Sequence, residues 1–442
     1  MSEHMPTVGI YTLGCKVNQY ESEAIAEALE REGVRVLPPT EICDAYIINT
    51  CTVTAESDRK ARQFIRRAMS RNREAYIVVT GCLAQTAHDG LAAMSGVDSI
   101  VGNTEKLTAA KEVLRLLKQG KKEAHPTVSV SDINASPFEP MCISHFERTR
   151  AYVKIEDGCE SHCAYCIIPS ARGKIRSKPT EEVVAEVSAL CEGGCREVVL
   201  TGIETASWGR DLGEGDLATL LERVDAIHGI GRVRLGSLDP SLIRESFVER
   251  ITPLSSLAPH FHLSLQSGSS AVLARMKRKY NARQAMDAIL RLRAALPDVQ
   301  LTTDVIVGFP GETEEEFAET VAFVRNARFL QAHIFPYSKR AGTLAATMPD
   351  QVPEEIKRRR AAELSAVVAE VRAELLRELV AAQPVVEVLF ETCEDGIAKG
   401  HTPSFLEVAV KDSRPLHGTF GSVRLTHTDG MVCFGDLIAL KP

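Results

Sequence analysis

Three thiols crowd into eight residues, Cys159, Cys163 and Cys166, directly after the β-branched run Ala151–Glu156. The spacing is C-x3-C-x2-C, and a loop at a strand end lets all three sulfurs point inward. Thiolates so placed suit an iron–sulfur cluster or zinc. A closed structural site takes four ligands, and no fourth cysteine lies near. Three cysteines on a cubane leave one iron open for a substrate. His162 would complete a zinc site, which stays as the alternative, although zinc spacings usually come as paired C-x2–4-C.

The chain around this loop alternates strand and helix patterns. Over residues 1–130 strands are predicted at Val8–Thr12, Tyr46–Asn49 and Tyr76–Thr80, with helices from about Gln19 to Glu32 and Ala55 to Ser70. That is the pattern of an open parallel α/β sheet domain. Between Gly120 and Ser144 it fades and Pro126, Pro137 and Pro140 appear, which predicts a linker. Over 145–380, strands are expected at Ala151–Glu156, Glu197–Thr201, Arg232–Gly236, His262–Gln266, Leu301–Val307 and Ala332–Tyr337. Helical patterns separate them, one opening on a Thr313/Glu316 capping box, and a long charged helix follows over Pro353–Val380. Six βα units predict a partial (βα)6 TIM-like barrel with its site at the C-terminal strand ends. Residues 384–442 read as a small β-barrel with strands Val385–Glu391, Phe405–Val410, Gly421–Leu425 and Met431–Phe434. The fold class is α/β.

With 442 residues, 44% of them hydrophobic, the chain can build several cores. A net charge of −7 excludes a basic nucleic-acid coat, so nucleic-acid contacts must come from local patches. Candidates are Arg59, Lys60, Arg62, Arg66 and Arg67; Arg172, Lys174, Arg176 and Lys178; and Lys277 to Lys279. The run Lys357–Arg360 reads as a solvated helix face. No apolar run approaches the roughly 18 residues that would span a bilayer, and the first residues lack an apolar signal core. A cytoplasmic protein without membrane partners is expected. Of twelve cysteines, Cys43, Cys142, Cys191, Cys195, Cys393 and Cys433 read as scattered buried residues. Cys15, Cys51 and Cys82 differ, because each follows the C-terminal end of a predicted strand. In an open parallel sheet those ends share one ligand-binding edge, where three thiols would converge. The alternative is three separate buried cysteines.

The segment Gly158–Cys166, with Tyr165 before its last cysteine, resembles the radical S-adenosylmethionine signature. Cys15-Lys16-Val17-Asn18-Gln19-Tyr20-Glu21-Ser22, Asn49-Thr50-Cys51-Thr52-Val53 and Thr80-Gly81-Cys82-Leu83-Ala84-Gln85 resemble the N-terminal domain of methylthiotransferases. The tail is similar to the RNA-binding TRAM module, though from Gln383 onward it holds five Lys/Arg against eight Asp/Glu. The resemblance implies two 4Fe–4S clusters, a catalytic one on Cys159, Cys163 and Cys166 and an auxiliary one on Cys15, Cys51 and Cys82. It implies S-adenosyl-L-methionine, two molecules per turnover, cleaved at the open iron to a 5′-deoxyadenosyl radical. Tyr165, Thr201, Gly202, Ser237, Gln266 and Asp304 are the expected cofactor-side residues. Trp208 stands where relatives commonly show Tyr, and Ser170 where an aromatic is common, which puts pocket shape in doubt. The Cys15-Lys16-Val17-Asn18 stretch most resembles the branch that methylthiolates C2 of N6-threonylcarbamoyladenosine beside the tRNA anticodon. Implied partners are the tRNA anticodon stem-loop, a reductant protein such as flavodoxin or ferredoxin, and a sulfur donor. The rivals are the same chemistry on N6-isopentenyladenosine tRNA or a ribosomal-protein aspartate, and a non-catalytic iron–sulfur or zinc RNA-binding protein.

Overall fold

Parallel strands covered on both faces need apolar side chains on both sides, and Ala45–Thr50 and Tyr76–Gly81 are buried at every residue. They are the centre of the first sheet of a computed structural model that describes residues 5–146, 148–213 and 215–441. Its six parallel strands run in the order Arg35–Leu37, Thr7–Thr12, Ala45–Thr50, Tyr76–Gly81, Ser99–Val101, Thr127–Ser129. Helices Lys16–Arg31 and Ala55–Arg71 follow the first and third of these in the chain, and an apolar cluster packs on each face of the sheet. Two expectations change here. The first helix starts at Lys16 rather than Gln19, with Cys15 as its N-cap. The supposed linker supplies the edge strand Thr127–Ser129, which pairs with Ser99–Val101, and its Met141 and Ile143 enter the large core beside Tyr20. Three residues are too few for a period-two pattern to register.

Six further parallel strands form the partial barrel. Ala151–Lys154, Glu197–Thr201 and Arg232–Leu235 make one sheet; Ser237–Leu238, His260–Gln266, Gln300–Val307 and Gln331–Pro336 make another. Arg232–Leu235 and Ser237–Leu238 are one path interrupted at Gly236, and a Val233–Leu257 bridge spans the seam. The strand expected over Ala151–Glu156 stops at Lys154. Glu156 and Asp157 turn away to pair antiparallel with Arg176 and Ser177, and this small ribbon presents the cysteine loop. The Thr313 capping box is present on helix Glu314–Ala327.

Helix Glu354–Ala381 leads to a closed five-strand barrel, ordered Val385–Glu394, Ile397–His401, Glu407–Lys411, Cys433–Leu440, Phe420–Thr428. Ile397–His401 was not expected as a strand. The strand expected from Phe405 begins at Glu407, because Phe405 holds a left-handed backbone (φ 70°). The one expected at Met431–Phe434 runs from Cys433 to Leu440. The solvated face expected at Lys357–Arg360 is also corrected: Lys357 and Arg360 are buried, with Arg360 paired to Glu312 at 2.7 Å. No described helix is long and apolar enough to cross a membrane.

The C-terminal barrel is docked on the N-terminal ends of the partial barrel's first strands. Arg234 donates to the carbonyls of Thr402 and Pro403 at 2.7 Å each and to Glu197 at 2.6 Å. Arg232 reaches Glu197 and Glu387 at 2.8 and 3.1 Å. Burial pushes the Arg234 guanidinium down to about 10, against the pull of Glu197.

Candidate active site between two thiol triads

Strand pairing brings Cys15, Cys51 and Cys82 to one edge. Thr12 pairs with Asn49, and Thr50 pairs with Gly81, so the three cysteines leave three adjacent strands at the same end. Approach is close at Gly14, where a Cβ would lie 3.1 Å from Cys51 Sγ; its φ of 104° also favours glycine. Gly81, φ 102°, is tighter still, since a Cβ there would meet the Thr50 carbonyl oxygen at 2.2 Å. Burial pushes the Cys51 thiol up to about 11, with Cys82 and Cys15 adding to the shift. Cys15 Sγ lies 3.6 Å from Asn18 Oδ1, and Cys82 Sγ accepts from Arg172 Nε at 3.3 Å.

The second triad rests on the ribbon that leaves the first barrel strand. Gly158, φ 98°, lets the chain pass Lys174, whose carbonyl would lie 1.9 Å from a Cβ. Cys159 Sγ contacts Glu204 Oε2 at 3.1 Å, Cys163 Sγ accepts from Arg278 Nη1 at 3.2 Å, and Cys166 Sγ from the Ile168 amide at 3.4 Å. Burial pushes the Cys166 thiol up to about 12. The same cause, with Glu204 adding to it, raises Cys159. Behind Glu204, its amide donates to Glu156 at 2.7 Å, and desolvation holds the Glu156 carboxyl well above the ordinary range.

A cavity of about 220 Å3 joins the two halves. Val53 and Thr54, just after Cys51, form one wall; Tyr165, Cys166, Ile167 and Ile168 form another. Gln266, Asp304, Ile306, Phe335, Tyr337 and Ser338 close it from the barrel strand ends. Cross-links fix the gap: Ser338 Oγ accepts from the Ala55 amide at 3.1 Å, and Arg340 reaches Asp58 and Thr52 at 2.6 Å. A second cavity, about 290 Å3, opens beyond Glu204 between Trp208, Asp239, Arg244 and Lys279.

Of the expected residues, Tyr165, Gln266 and Asp304 line the joining cavity. Gln266 is in a left-handed backbone (φ 68°), and Asp304 pairs with His262 at 3.2 Å. Thr201 is buried in its strand, and Gly202 is filled from behind, a Cβ there meeting Glu156 Oε2 at 2.6 Å. Ser237 is exposed and lines neither cavity. Sequence reasoning missed Glu204 and Arg278, which meet the triad from 45 and 115 residues away. The basic run after the triad is not a surface patch: Arg172, Arg176 and Lys178 are buried, leaving Lys174 exposed. Lys277 and Lys279 are exposed, as are Arg59, Lys60, Arg66 and Arg67.

Among the described residues no three His, Cys, Asp or Glu side chains stand as ligands of one metal ion would, and His162 is exposed with φ 45°. A cubane fits a donor set of three thiols, because each thiolate binds a different iron. Buried polar atoms without partners at Glu156 Oε1, Thr205 Oγ1, Ser269 Oγ and Tyr337 Oη suit a polar cofactor at the same barrel end.

Comparison with known proteins agrees with this layout. Residues 7–102 match the Uncharacterized protein family UPF0004, and residues 153–324 match the Radical SAM superfamily. The chain is 40% identical to the threonylcarbamoyladenosine tRNA methylthiotransferase MtaB of Bacillus subtilis, covering 95% of this chain and 94% of that one. It is 36% identical to the protein of the same name from Chlamydia pneumoniae, over 99% and 100%. It is 32% identical to a tRNA-2-methylthio-N(6)-dimethylallyladenosine synthase of Thermoanaerobacter pseudethanolicus, over 97% and 92%. Among solved structures, the radical S-adenosylmethionine methyltransferase TsrM of Kitasatospora setae, with cobalamin and a [4Fe-4S] cluster bound, shares the fold. Its TM-score is 0.58 at 15% identity, over 78% of this chain and 77% of that one. The chain belongs to the radical S-adenosylmethionine methylthiotransferase family, on the branch of the MtaB-named relatives.

Proposed function

We propose that this enzyme adds a methylthio group to C2 of N6-threonylcarbamoyladenosine beside the tRNA anticodon. It would use two 4Fe–4S clusters and two molecules of S-adenosylmethionine per turnover. The observation that carries this reading is the cavity walled on one side by the chain after Cys51 and on the other by Cys166 and Tyr165. A base held there would lie between the chain that follows Cys51 and the loop that ends at Cys166. Cys159, Cys163 and Cys166 would hold the catalytic cluster, and Cys15, Cys51 and Cys82 the auxiliary one. When bound, these groups supply a one-electron reductive cleavage and a transferable sulfur, chemistry that side chains cannot provide.

The protein's own part is positioning. Ile306, Phe335 and Tyr165 offer apolar faces for a flat base, and Gln266, Asp304 and Ser338 offer polar edges. Glu204, in contact with Cys159 at 3.1 Å, sets an acidic side chain beside the triad, a group complementary to an ammonium. The anticodon loop suits the site because its bases splay out without melting a duplex. Exposed Arg59, Lys60, Arg66 and Arg67, on the helix after Cys51, would meet its backbone phosphates. A reductant protein such as flavodoxin or ferredoxin and a sulfur donor complete the cycle.

The relatives named for threonylcarbamoyladenosine are the more similar ones, at 36–41% against 32–33% for those named for dimethylallyladenosine. That favours the first substrate. The test is an anaerobic competition among tRNA bearing threonylcarbamoyladenosine, tRNA bearing isopentenyladenosine, and ribosomal protein. Methylthiolation mainly of the first is expected; mainly of either other overturns the substrate assignment.

A further inference from the structure

Arg172 lies beyond the radical triad in the chain, yet its side chain ends at the other triad. It is fully buried; Nε donates to Cys82 Sγ at 3.3 Å and Nη2 to Asn18 Oδ1 at 2.7 Å. Asn18 Oδ1 is also the partner of Cys15 Sγ, so one guanidinium touches one thiol and reaches a second through an amide. Its third nitrogen pairs with Glu21 and Asp157.

Buried charges crowd around it. Lys106, Lys154 and Arg172 pair with Glu21, while Lys154, Arg172 and Arg176 pair with Asp157. Four buried cations thus share two carboxylates. An uncompensated buried charge is costly, and a guanidinium cannot shed its proton to escape.

The radical triad repeats the arrangement within its own half. Arg278 Nη1 donates to Cys163 Sγ at 3.2 Å and is held by Asp239 at 2.8 Å and the Ser264 carbonyl at 3.0 Å. Each triad therefore carries one guanidinium on one sulfur. Hydrogen bonds to cluster sulfurs and nearby positive charge stabilise the reduced, more negative state and raise the reduction potential.

We infer that Arg172 is a positioning residue for the auxiliary cluster: from the radical half it anchors Cys82 and sets the potential of a cluster held by the other half. This rests on the two-cluster reading above. The test uses the full-length, anaerobically reconstituted protein, with iron analysis and midpoint potentials of both clusters from EPR-monitored redox titrations. Arg172→Lys keeps the charge but loses the forked N–H geometry. It should lower the auxiliary potential, or release that cluster alone, with the radical cluster unmoved. Arg278→Lys should do the reverse. Arg172→Gln, checked by circular dichroism, should give a larger shift, and if it does not fold the lysine variant decides. Full iron with both potentials unchanged in Arg172→Lys, or both shifting together, overturns the inference. An unsubstituted protein that takes up only one cluster overturns the two-cluster reading instead, and the iron count separates the two failures.

Discussion

Replacing Phe405 should loosen the seam between the partial barrel and the C-terminal module. Its ring is stacked between His260 of the barrel, centroids 4.5 Å apart and 16° from parallel, and His401 of its own module, at 4.6 Å and 25°. The guanidiniums of Arg234 and Arg150 lie 5.1 and 5.5 Å from its centroid. Truncating a buried Phe to Ala costs about 3–5 kcal/mol, and the half-buried ring puts Phe405→Ala near the lower end, about 3 kcal/mol. At about 1.4 kcal/mol per factor of ten, opening of the Thr402–Leu406 loop should rise roughly a hundredfold. Alanine keeps the strain of the left-handed backbone, which costs a residue with a Cβ about 1–2 kcal/mol. Glycine relieves that strain and loses about 0.5–1 kcal/mol to backbone entropy. Phe405→Gly should therefore be milder than Phe405→Ala by about 1 kcal/mol, roughly fivefold in opening. Hydrogen exchange of peptides covering this loop measures the opening directly. Wild-type protection in Phe405→Ala would refute the stacking argument, and faster exchange in the glycine variant than in the alanine variant would refute the strain argument.

Two shorter predictions concern the site. Reconstituted protein should hold about eight irons per chain, and replacing either Cys159, Cys163 and Cys166 or Cys15, Cys51 and Cys82 with Ala should halve that count. The first triple variant should form no 5′-deoxyadenosine and the second should still form some; full iron retention in either contradicts the assignment of that triad. Gly202→Ala puts a Cβ 2.6 Å from Glu156 Oε2 and 3.2 Å from the Glu156 carbonyl, displacing the support of Glu204 beside Cys159. Cofactor cleavage should fall roughly tenfold or more with iron retained, and an unchanged rate would show that Glu204 is not held through Glu156.

What the sequence reveals depends on how far apart the cooperating residues lie. The runs Ala45–Thr50 and Tyr76–Gly81 are buried throughout, so their β-branched residues stand out in the chain. The three cysteines of 159–166 stand out by spacing, whereas the common place of Cys15, Cys51 and Cys82 after a strand leaves three separate cysteines open until strand pairing brings them to one edge. Thr127–Ser129 is legible only through its partner strand, and Ile397–His401 buries only the small Ala398 and Gly400 while Ile397 and Lys399 are exposed, which masks a buried face. Gly400 is there because a Cβ would meet the Leu389 carbonyl at 2.0 Å, a requirement set across the barrel rather than along it. Arg172, Arg176, Lys178, Lys357 and Arg360 read as surface charge because sequence shows the cation and hides its partner. For all but Lys357, which pairs with Glu354 on its own helix, the carboxylates and carbonyls come from elements that only folding brings together.

Those hidden partners determine how the enzyme can work. Ion pairs buried between domains add little stability, because desolvation offsets attraction, but they select one arrangement over its neighbours. Here they connect the halves at several levels. Arg172 and Lys154 meet Glu21, Tyr20 meets Glu186 at 3.0 Å, and Arg340 meets Asp58 beside the cavity. The first of these contacts lie behind the thiol sites and the last lies at the mouth between them. Hinge motion that widened the cavity would have to strand several buried charges at once. The gap is therefore expected to be nearly fixed, and the target base must come to it. On the proposed function a splayed loop nucleotide could do so and a stacked base could not, which would be a selection for single-stranded RNA made before any chemical group on the base is read.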